Sequence, residues 1–237
     1  MSRILVLGGT GEGLALARRL GPDDIYSVAG LGKRPEGLAC SVREGGFGGA
    51  DGLARFIAAA GVDRVIDATH PYAAQISANA RHATFATGTA LWALRRAAWS
   101  AQPGDDWRMV DDWDGIMAAI APFRRPLFTL GREPLQHLDD IPASQYWTVR
   151  CLDARAGTER ARVLADRGPF ALAAERELFE RERFDVIVSK NSGGASTEAK
   201  LEVARERGLP VVMLRRPVLP EADRSFRTLE ELLSNLP

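Results

Sequence analysis

Lysine is nearly missing from this chain. Only Lys33, Lys190 and Lys200 occur, so almost every basic charge is an arginine. Basic charge is not in surplus either, with 31 basic residues against 31 acidic ones. A general nucleic-acid binder needs excess positive charge to displace counterions from phosphates, and the balance argues against that class. Two cysteines, Cys40 and Cys151, are too few for a disulfide scaffold and lack metal-site spacing, which points to a reducing compartment. Three scattered histidines, His70, His82 and His137, argue against a zinc site. No apolar run is long enough to span a bilayer, and Met1-Ser-Arg leads directly into a strand pattern rather than a signal peptide, so a cytoplasmic location is expected. What is present is 237 residues, 46% hydrophobic and 26% charged, enough for one large α/β domain or two small ones.

Apolar runs of strand length alternate with helical patterns. In the first half strands are expected over 3–7, 25–29, 41–43, 64–68 and 91–94, with helices over 11–20, 51–60 and 72–87. The polar stretch "SAQPGDDW" at 100–107 reads as a linker and sets the expected domains at 1–99 and 100–237. In the second half strands are expected over 108–110, 127–130, 147–151, 185–189 and 211–214, and helices over 113–121, 158–167, 175–183, 197–207 and 228–235. Strands joined through helices imply right-handed crossovers and parallel pairing. The expected fold is therefore α/β, two Rossmann-like doubly wound parallel sheets with a cleft between them. A strand near Leu91 or Val211 could belong to the other half's sheet.

"LGGTGEGLAL" places Gly8, Gly9, Gly11 and Gly13, with Thr10 and Glu12 between them, after one strand and at the start of a helix. Glycines there allow a sharp turn and close approach of a phosphate to the main chain, so a dinucleotide pyrophosphate is the expected ligand; the alternative is a tight turn holding nothing. The ribose-reading region, "SVAGLGKRPEG", has no acid before Glu36, whereas Lys33 and Arg34 could meet a 2′-phosphate, which favours NADP(H) over NAD. In "REGGFGGADG", Gly45 and Gly46 precede Phe47 in a loop able to approach a flat ligand, or in a bare turn before a helix.

"VIDATHPYAAQISANA" is more distinctive. Thr69, His70, Pro71 and Tyr72 fall at a strand's carboxyl end, the side on which doubly wound sheets bind ligands. Pro71 suits a first helical turn, with His70 or Thr69 near the cap. His70 can carry a proton near neutral pH and is a candidate acid or donor. Ser77 and Asn79, further along, suit polar packing. In "VSKNSGGASTEAK", Ser192, Gly193 and Gly194 can form a nest of N–H groups, Ser196 or Thr197 can cap the next helix, and Lys190 and Lys200 can flank the turn with positive charge. An anion is expected at this second turn, a phosphate or a carboxylate.

Together "ILVLGGTGEGLALA", "SVAG", "GGFGGADGLARF", "DATHPYAAQISANA", "LWALRRAAW", "GPF" with Glu175 after it, and the long stretch from "VSKNSGGASTEAK" to "RRP" resemble the precorrin-6A reductases of corrin biosynthesis. The likeness spans nearly the whole chain, and is weakest over about 100–165. Many members carry Arg directly after the Ala-Gly, where this chain has Leu31. The resemblance implies an NADPH-dependent hydride transfer to a double bond of the precorrin-6A macrocycle, giving precorrin-6B. It leaves open a cobalt-bearing substrate. Its expected ligands are NADPH and a polycarboxylate tetrapyrrole, with no nucleic acid, no membrane and a monomer or small homo-oligomer. The first turn, with Lys33, Arg34, Gly45, Gly46 and Thr69, would hold the cofactor. Lys190, Asn191, Ser192, Gly193, Gly194 and Lys200 would hold substrate carboxylates or help fix the nicotinamide end. The proton donor could be His70, Tyr72 or water. Arg95, Arg96, Arg132, Arg215 and Arg216 are further candidates for carboxylate contacts. Two rivals are an extended-type epimerase or reductase, which needs a Tyr-x-x-x-Lys pair that Tyr26, Tyr72 and Tyr146 all lack, and a non-catalytic NADP(H) sensor, which would not need the second turn.

Overall fold

The structure is a computed structural model that describes residues 2–30, 34–152 and 154–236. In chain order the elements are β1 (Ile4–Leu7), α1 (Gly11–Ala17), β2 (Ile25–Val28), β3 (Ser41–Glu44), α2 (Gly49–Ala60), β4 (Arg64–Asp67), α3 (Ala74–Thr87), β5 (Ala90–Leu94), β6 (Asp106–Val110), α4 (Trp113–Ile120), β7 (Pro126–Thr129), β8 (Trp147–Cys151), β9 (Ala161–Ala165), α5 (Leu172–Glu182), β10 (Val186–Lys190), α6 (Ala199–Glu206), β11 (Pro210–Leu214), β12 (Arg224–Phe226) and α7 (Leu229–Leu233). They form two units, Met1–Ala97 with Pro217–Pro237, and Ala98–Arg216.

The first unit holds a six-stranded parallel sheet in the order β12-β5-β4-β1-β2-β3. Every residue of β1 is buried, as a central parallel strand covered on both faces requires. Ile4 and Val6 face one core with Leu16, Ala17 and Leu232 of α1 and α7. Leu5 and Leu7 face the other, with Leu53, Ile57, Ala80 and Ala83 of α2 and α3. The chain runs from β1 outward through β2 and β3, then returns to β4 on the other side of β1. The connections leaving β1 and β4 therefore diverge, and a crevice opens at their carboxyl ends.

The second unit repeats the plan with the order β6-β11-β10-β7-β8-β9, all parallel. Its reversal lies between β7 and β10. One face carries Leu127, Ile187, Val211 and Met213 against Phe179 of α5 and Leu201, Val203 and Ala204 of α6. An aromatic group, in which Phe128 lies 4.6 Å from Trp147 and Trp113 stacks 4.0 Å from His137, joins β7, β8 and α4.

Three expectations need correction. Residues 158–167 do not form a helix: 161–165 are β9, paired with β8 in register Trp147↔Ala161 to Cys151↔Ala165. The tail 217–237 does not stay with the second half, because β12 pairs with β5. The strand that crosses is therefore Arg224–Phe226, while the Leu91 and Val211 strands each remain in their own half's sheet. Phe226 explains the return. It is 6% exposed, packs 5.2 Å from Trp92, and closes an edge that would otherwise leave apolar surface in water. Phe226→Ala should cost the first unit about 3–5 kcal/mol. Urea unfolding followed by first-unit amide exchange should show this, with second-unit amides unaffected.

Candidate functional site

The first glycine turn is built from constraints that differ residue by residue. A Cβ on Gly8 would lie 2.1 Å from the Tyr26 ring, and Tyr26 is held in place by burial and by accepting a hydrogen bond from the Gly9 N–H at 3.2 Å. Gly9 has φ 110°, a left-handed conformation that favours glycine. A Cβ on Gly13 would come 3.2 Å from the Ala68 carbonyl oxygen, so close packing of helix on strand explains that glycine. Gly11 has neither reason, since its φ is not positive and an added Cβ would meet nothing within 4 Å. Gly46 is in the same position, while Gly45 has φ 95°. Thr10 caps α1, accepting from the Gly13 N–H at 2.9 Å while its hydroxyl donates to the Ala68 carbonyl at 2.9 Å.

The crevice beside this turn is shallow and open to solvent, and is lined by Thr10, Glu12, Ala68, Thr69, Pro71, Leu94 and Arg96. Arg96 reaches from the end of β5 to Glu12 in the first turn of α1, donating to both carboxylate oxygens at 2.7 and 2.8 Å. Burial alone would raise the Glu12 pKa, but its own backbone N–H, Arg96 and His70 outweigh burial and lower it. Below the crevice floor Asp67, fully buried at the end of β4, accepts from the Thr69 N–H at 3.1 Å, the Thr69 hydroxyl at 2.6 Å, the Ser77 hydroxyl at 2.6 Å and Arg95 Nη2 at 2.6 Å. Burial works to raise its pKa too, yet Arg95 and the two hydroxyls hold the carboxyl below the usual range. Asp67, Tyr26 and the Glu12–Arg96 pair were not singled out from sequence. Arg95 and Arg96 were, as loose candidates for a ligand's carboxylates with a salt bridge the expected role of each; each meets a carboxylate of the chain.

His70 and Tyr72 flank Pro71, their rings 5.7 Å apart. The Tyr72 N–H donates to His70 Nδ1 at 3.3 Å, which leaves the neutral ring's proton on Nε2. Neither His70 nor Thr69 caps the next helix: α3 starts at Ala74, and Thr69 turns back to Asp67. Arg34 makes an exposed pair with Glu44 at 3.5 Å, and Lys33 lies outside the described residues.

In the second unit, Lys190 ends β10 and donates to the Leu130 carbonyl beyond β7 at 2.8 Å, with Glu133 at 3.6 Å, bridging the point where strand order reverses. Asn191 is a clamp. Its side chain accepts from the Trp99 N–H at 2.8 Å and donates to the Trp99 carbonyl at 3.0 Å. Gly193 has φ 69°, and Gly194 leads into a short 3-10 turn, Ala195–Thr197, before α6. No side chain caps α6, contrary to the Ser196 or Thr197 expectation. Lys200 does not flank the turn from outside. It is 5% exposed, donates from below to the Thr197 carbonyl, and sits 4.8 Å from the Trp99 ring. Beside it Arg150 and Glu175, both buried, form a two-bonded pair at 2.8 and 3.0 Å. The "GPF" stretch belongs to the same cluster: Phe170 covers the Arg150 guanidinium at 4.3 Å, and its N–H holds the Ser196 carbonyl at 3.0 Å.

Burial first, then Arg150, pulls the Lys200 pKa down to about 7 from 10.5, against the opposing pull of Glu175 and Glu198. The unfolded chain keeps that proton up to its ordinary value, so between the two values it binds more protons than the folded state, and stability rises with pH. Between about pH 7 and about pH 9 the gain should be roughly 1–3 kcal/mol in urea unfolding, and Lys200→Met should flatten it.

Comparison with known proteins places these features in context. The family model for "Precorrin-6x reductase CbiJ/CobK" matches residues 3–236. A precorrin-6A reductase of Rhodococcus erythropolis is 44% identical over 94% of this chain and 92% of its own length. One from Rhodobacter capsulatus is 43% identical over 94% and 91%. A cobalt-precorrin-6A reductase of Priestia megaterium is 28% identical over 98% and 97%. The solved structure of a CobK precorrin-6A reductase superposes with a TM-score of 0.86 at 41% identity, covering 99% of this chain and 95% of that one.

Proposed function

The chain belongs to the precorrin-6x reductase family, and from that premise we propose that it reduces precorrin-6A with NADPH, delivering a hydride to one carbon of a macrocycle double bond and a proton to its neighbour to give precorrin-6B. The observation that carries this reading is the full-length likeness to proteins named precorrin-6A reductase, joined to a strand-end turn whose Gly11 the protein alone does not need. The metal-free macrocycle is preferred over the cobalt-bearing one because relatives named for the former are much closer in sequence than one named for the latter. We infer a cytoplasmic reaction, which suits two cysteines, Cys40 and Cys151, that are buried and not joined to each other. Among the described residues no helix is long and apolar enough to cross a membrane.

The residues present suit a dinucleotide. Gly8, Gly9, Thr10, Gly11, Glu12 and Gly13 would wrap the pyrophosphate, and Gly45 and Gly46 would admit the adenosine end. Arg34 suits a 2′-phosphate, since an exposed pair such as Arg34–Glu44 contributes only about 0–1 kcal/mol and exchanges partners easily. The cofactor supplies the hydride; the protein's task is to hold the two reacting carbons aligned and to deliver a proton. His70, with its proton on Nε2, or Tyr72 would make that delivery. At the second turn Lys190, Ser192, Gly193 and Gly194 would receive macrocycle carboxylates. Asn191 and Lys200 would act beneath them, Asn191 by pinning Trp99 and Lys200 by holding the Thr197 carbonyl.

Purified enzyme should oxidise NADPH one for one with added precorrin-6A, and should do so poorly with NADH. Lack of any precorrin-dependent oxidation would refute the reading. Gly11→Val should weaken NADPH binding about 10–100-fold and leave macrocycle binding nearly unchanged. Lys190→Ala should do the reverse, weakening macrocycle binding about tenfold. Loss of NADPH binding in Lys190→Ala with macrocycle binding intact would move the second turn to the cofactor.

A further inference from the structure

The second glycine turn is held at both ends, and the two holds meet. At its start Asn191 grips the backbone of Trp99, accepting from the N–H at 2.8 Å and donating to the carbonyl at 3.0 Å. At its end Lys200 donates to the Thr197 carbonyl, the last of the 3-10 turn Ala195–Thr197. The Lys200 ammonium also lies 4.8 Å from the centre of the Trp99 ring, within the range of a cation–π contact. Asn191, Trp99, Lys200 and Thr197 thus form a ring of contacts that the chain from 192 to 196 completes. Another hold on the 3-10 turn carries no charge: the Phe170 N–H donates to the Ser196 carbonyl at 3.0 Å.

Both links made by Lys200 depend on its proton. A protonated lysine makes a charge-assisted bond to the carbonyl, about twice as strong as a neutral one, and sets a cation against the indole. A neutral amine keeps a weaker N–H bond and loses the attraction to the ring. The charges that face Lys200 are Arg150 of β8, Glu175 of α5 and Glu198 just before α6. Arg150 keeps its proton and is bonded twice to Glu175, so the buried set carries a cation in excess whenever Lys200 is protonated. An anion seated on the N–H groups of the turn offsets that excess. It favours the protonated lysine, and the protonated lysine favours the anion by the same factor.

We propose that Lys200 is a positioning residue whose proton is coupled to the substrate: when a carboxylate of the macrocycle seats on the second turn, Lys200 takes up a proton and tightens the ring of Asn191, Trp99 and Thr197 beneath it. The proposal rests on the reading above that this turn receives substrate carboxylates, and adds how its grip is regulated. With the lysine's pKa lowered to about 7 in the unliganded fold, the coupling falls in the neutral range. Below that value the lysine is already charged and takes up nothing; above it binding takes up a proton and weakens as pH rises.

The test uses the whole enzyme and precorrin-6A without NADPH, so that nothing is reduced. Calorimetry in two buffers of different ionisation enthalpy counts the protons taken up on binding. The wild type should take up roughly half a proton or more at about pH 8, and fewer at about pH 6. Lys200→Met removes the ammonium and should lack the excess at pH 8; subtracting its count removes protons taken up by the macrocycle itself. At about pH 6 it should bind about tenfold more weakly than the wild type. Trp99→Leu keeps the lysine and opens the ring on its other side. Its loss of affinity at that pH should be similar, and the double variant should be little weaker than either alone. A purely structural lysine would lower affinity equally at both pH values and leave the proton count unchanged. Equal counts in wild type and Lys200→Met, or losses that add in the double variant, overturn the coupling while the carboxylate reading stands. Uptake that appears with NADPH and not with precorrin-6A, and is lost in Lys200→Met, moves the turn to the cofactor and overturns both, as does a wild type that does not bind precorrin-6A.

Discussion

The pairing of β1 with β4 is the constraint from which the first unit's chemistry follows. The chain must leave β1 on one side and return beside it on the other, so the two connections part at the carboxyl ends and cannot fill the space between them. Buried strands on both sides keep that opening fixed. Backbone N–H and C=O groups ending there lack ladder partners, so small polar side chains must meet them. Thr10 meets Gly13 and Ala68; Tyr26 meets Gly9. The site is in this sense a by-product of topology, and sequence decides only which edges of it stay bare.

Both units bury charge next to their strand reversals, and they compensate it differently. In the first, one carboxylate faces one guanidinium and two hydroxyls, so Asp67 is closely balanced. In the second, Arg150 and Lys200 share the buried acid Glu175, with Glu198 acting on Lys200 from the surface, and Arg150 Nε is buried with no hydrogen-bond partner. Two buried cations against one buried acid leave an excess that low polarity makes expensive. Part of it is relieved by the aromatic faces of Phe170 and Trp99, part by the carbonyl of Thr197, and the rest appears as the ready loss of the Lys200 proton. A guanidinium could not relieve itself in this way, because it does not give up its proton. That is a physical reason for lysine at 200 in a chain that otherwise uses arginine.

How legible was this in the sequence? The central strands were, because a strand covered on both faces is an uninterrupted apolar run such as Ile4-Leu-Val-Leu7 or Val186-Ile-Val188. The glycine turns were legible for the same local reason. β9 was not: "TERARVLADR" is rich in good helix formers, and only pairing with β8 makes 161–165 extended, a tertiary effect that overrides weak propensity. β12 was not either, since Arg-Ser-Phe has too few residues to show a period, and its one signal is a large apolar side chain near the C-terminus. Thr69 was read as facing a ligand and Ser77 as packing, but nothing local shows that both hydroxyls turn to Asp67. Nor does local sequence separate Arg95 from the other arginines; that needs the 28-residue return that brings β5 beside β4.

The same reasoning explains why Asp67 itself is hard to see and yet decides so much. An acid at the end of a central strand looks like a ligand for a metal or a substrate when read alone. Among the described residues no cluster of acids, cysteines or histidines could hold a metal ion. With its four donors supplied from β4's own loop, from α3 and from the end of β5, its capacity is used inside the protein. A buried carboxylate so occupied cannot take a proton or a ligand without breaking a charge-assisted bond, and such bonds are about twice as strong as neutral ones. Its influence therefore has to pass through its neighbours' hydrogens. Thr69, Ser77 and Arg95 each spend a hydrogen on it, so this one charge ties the loop after β4, α3 and the end of β5 to one another.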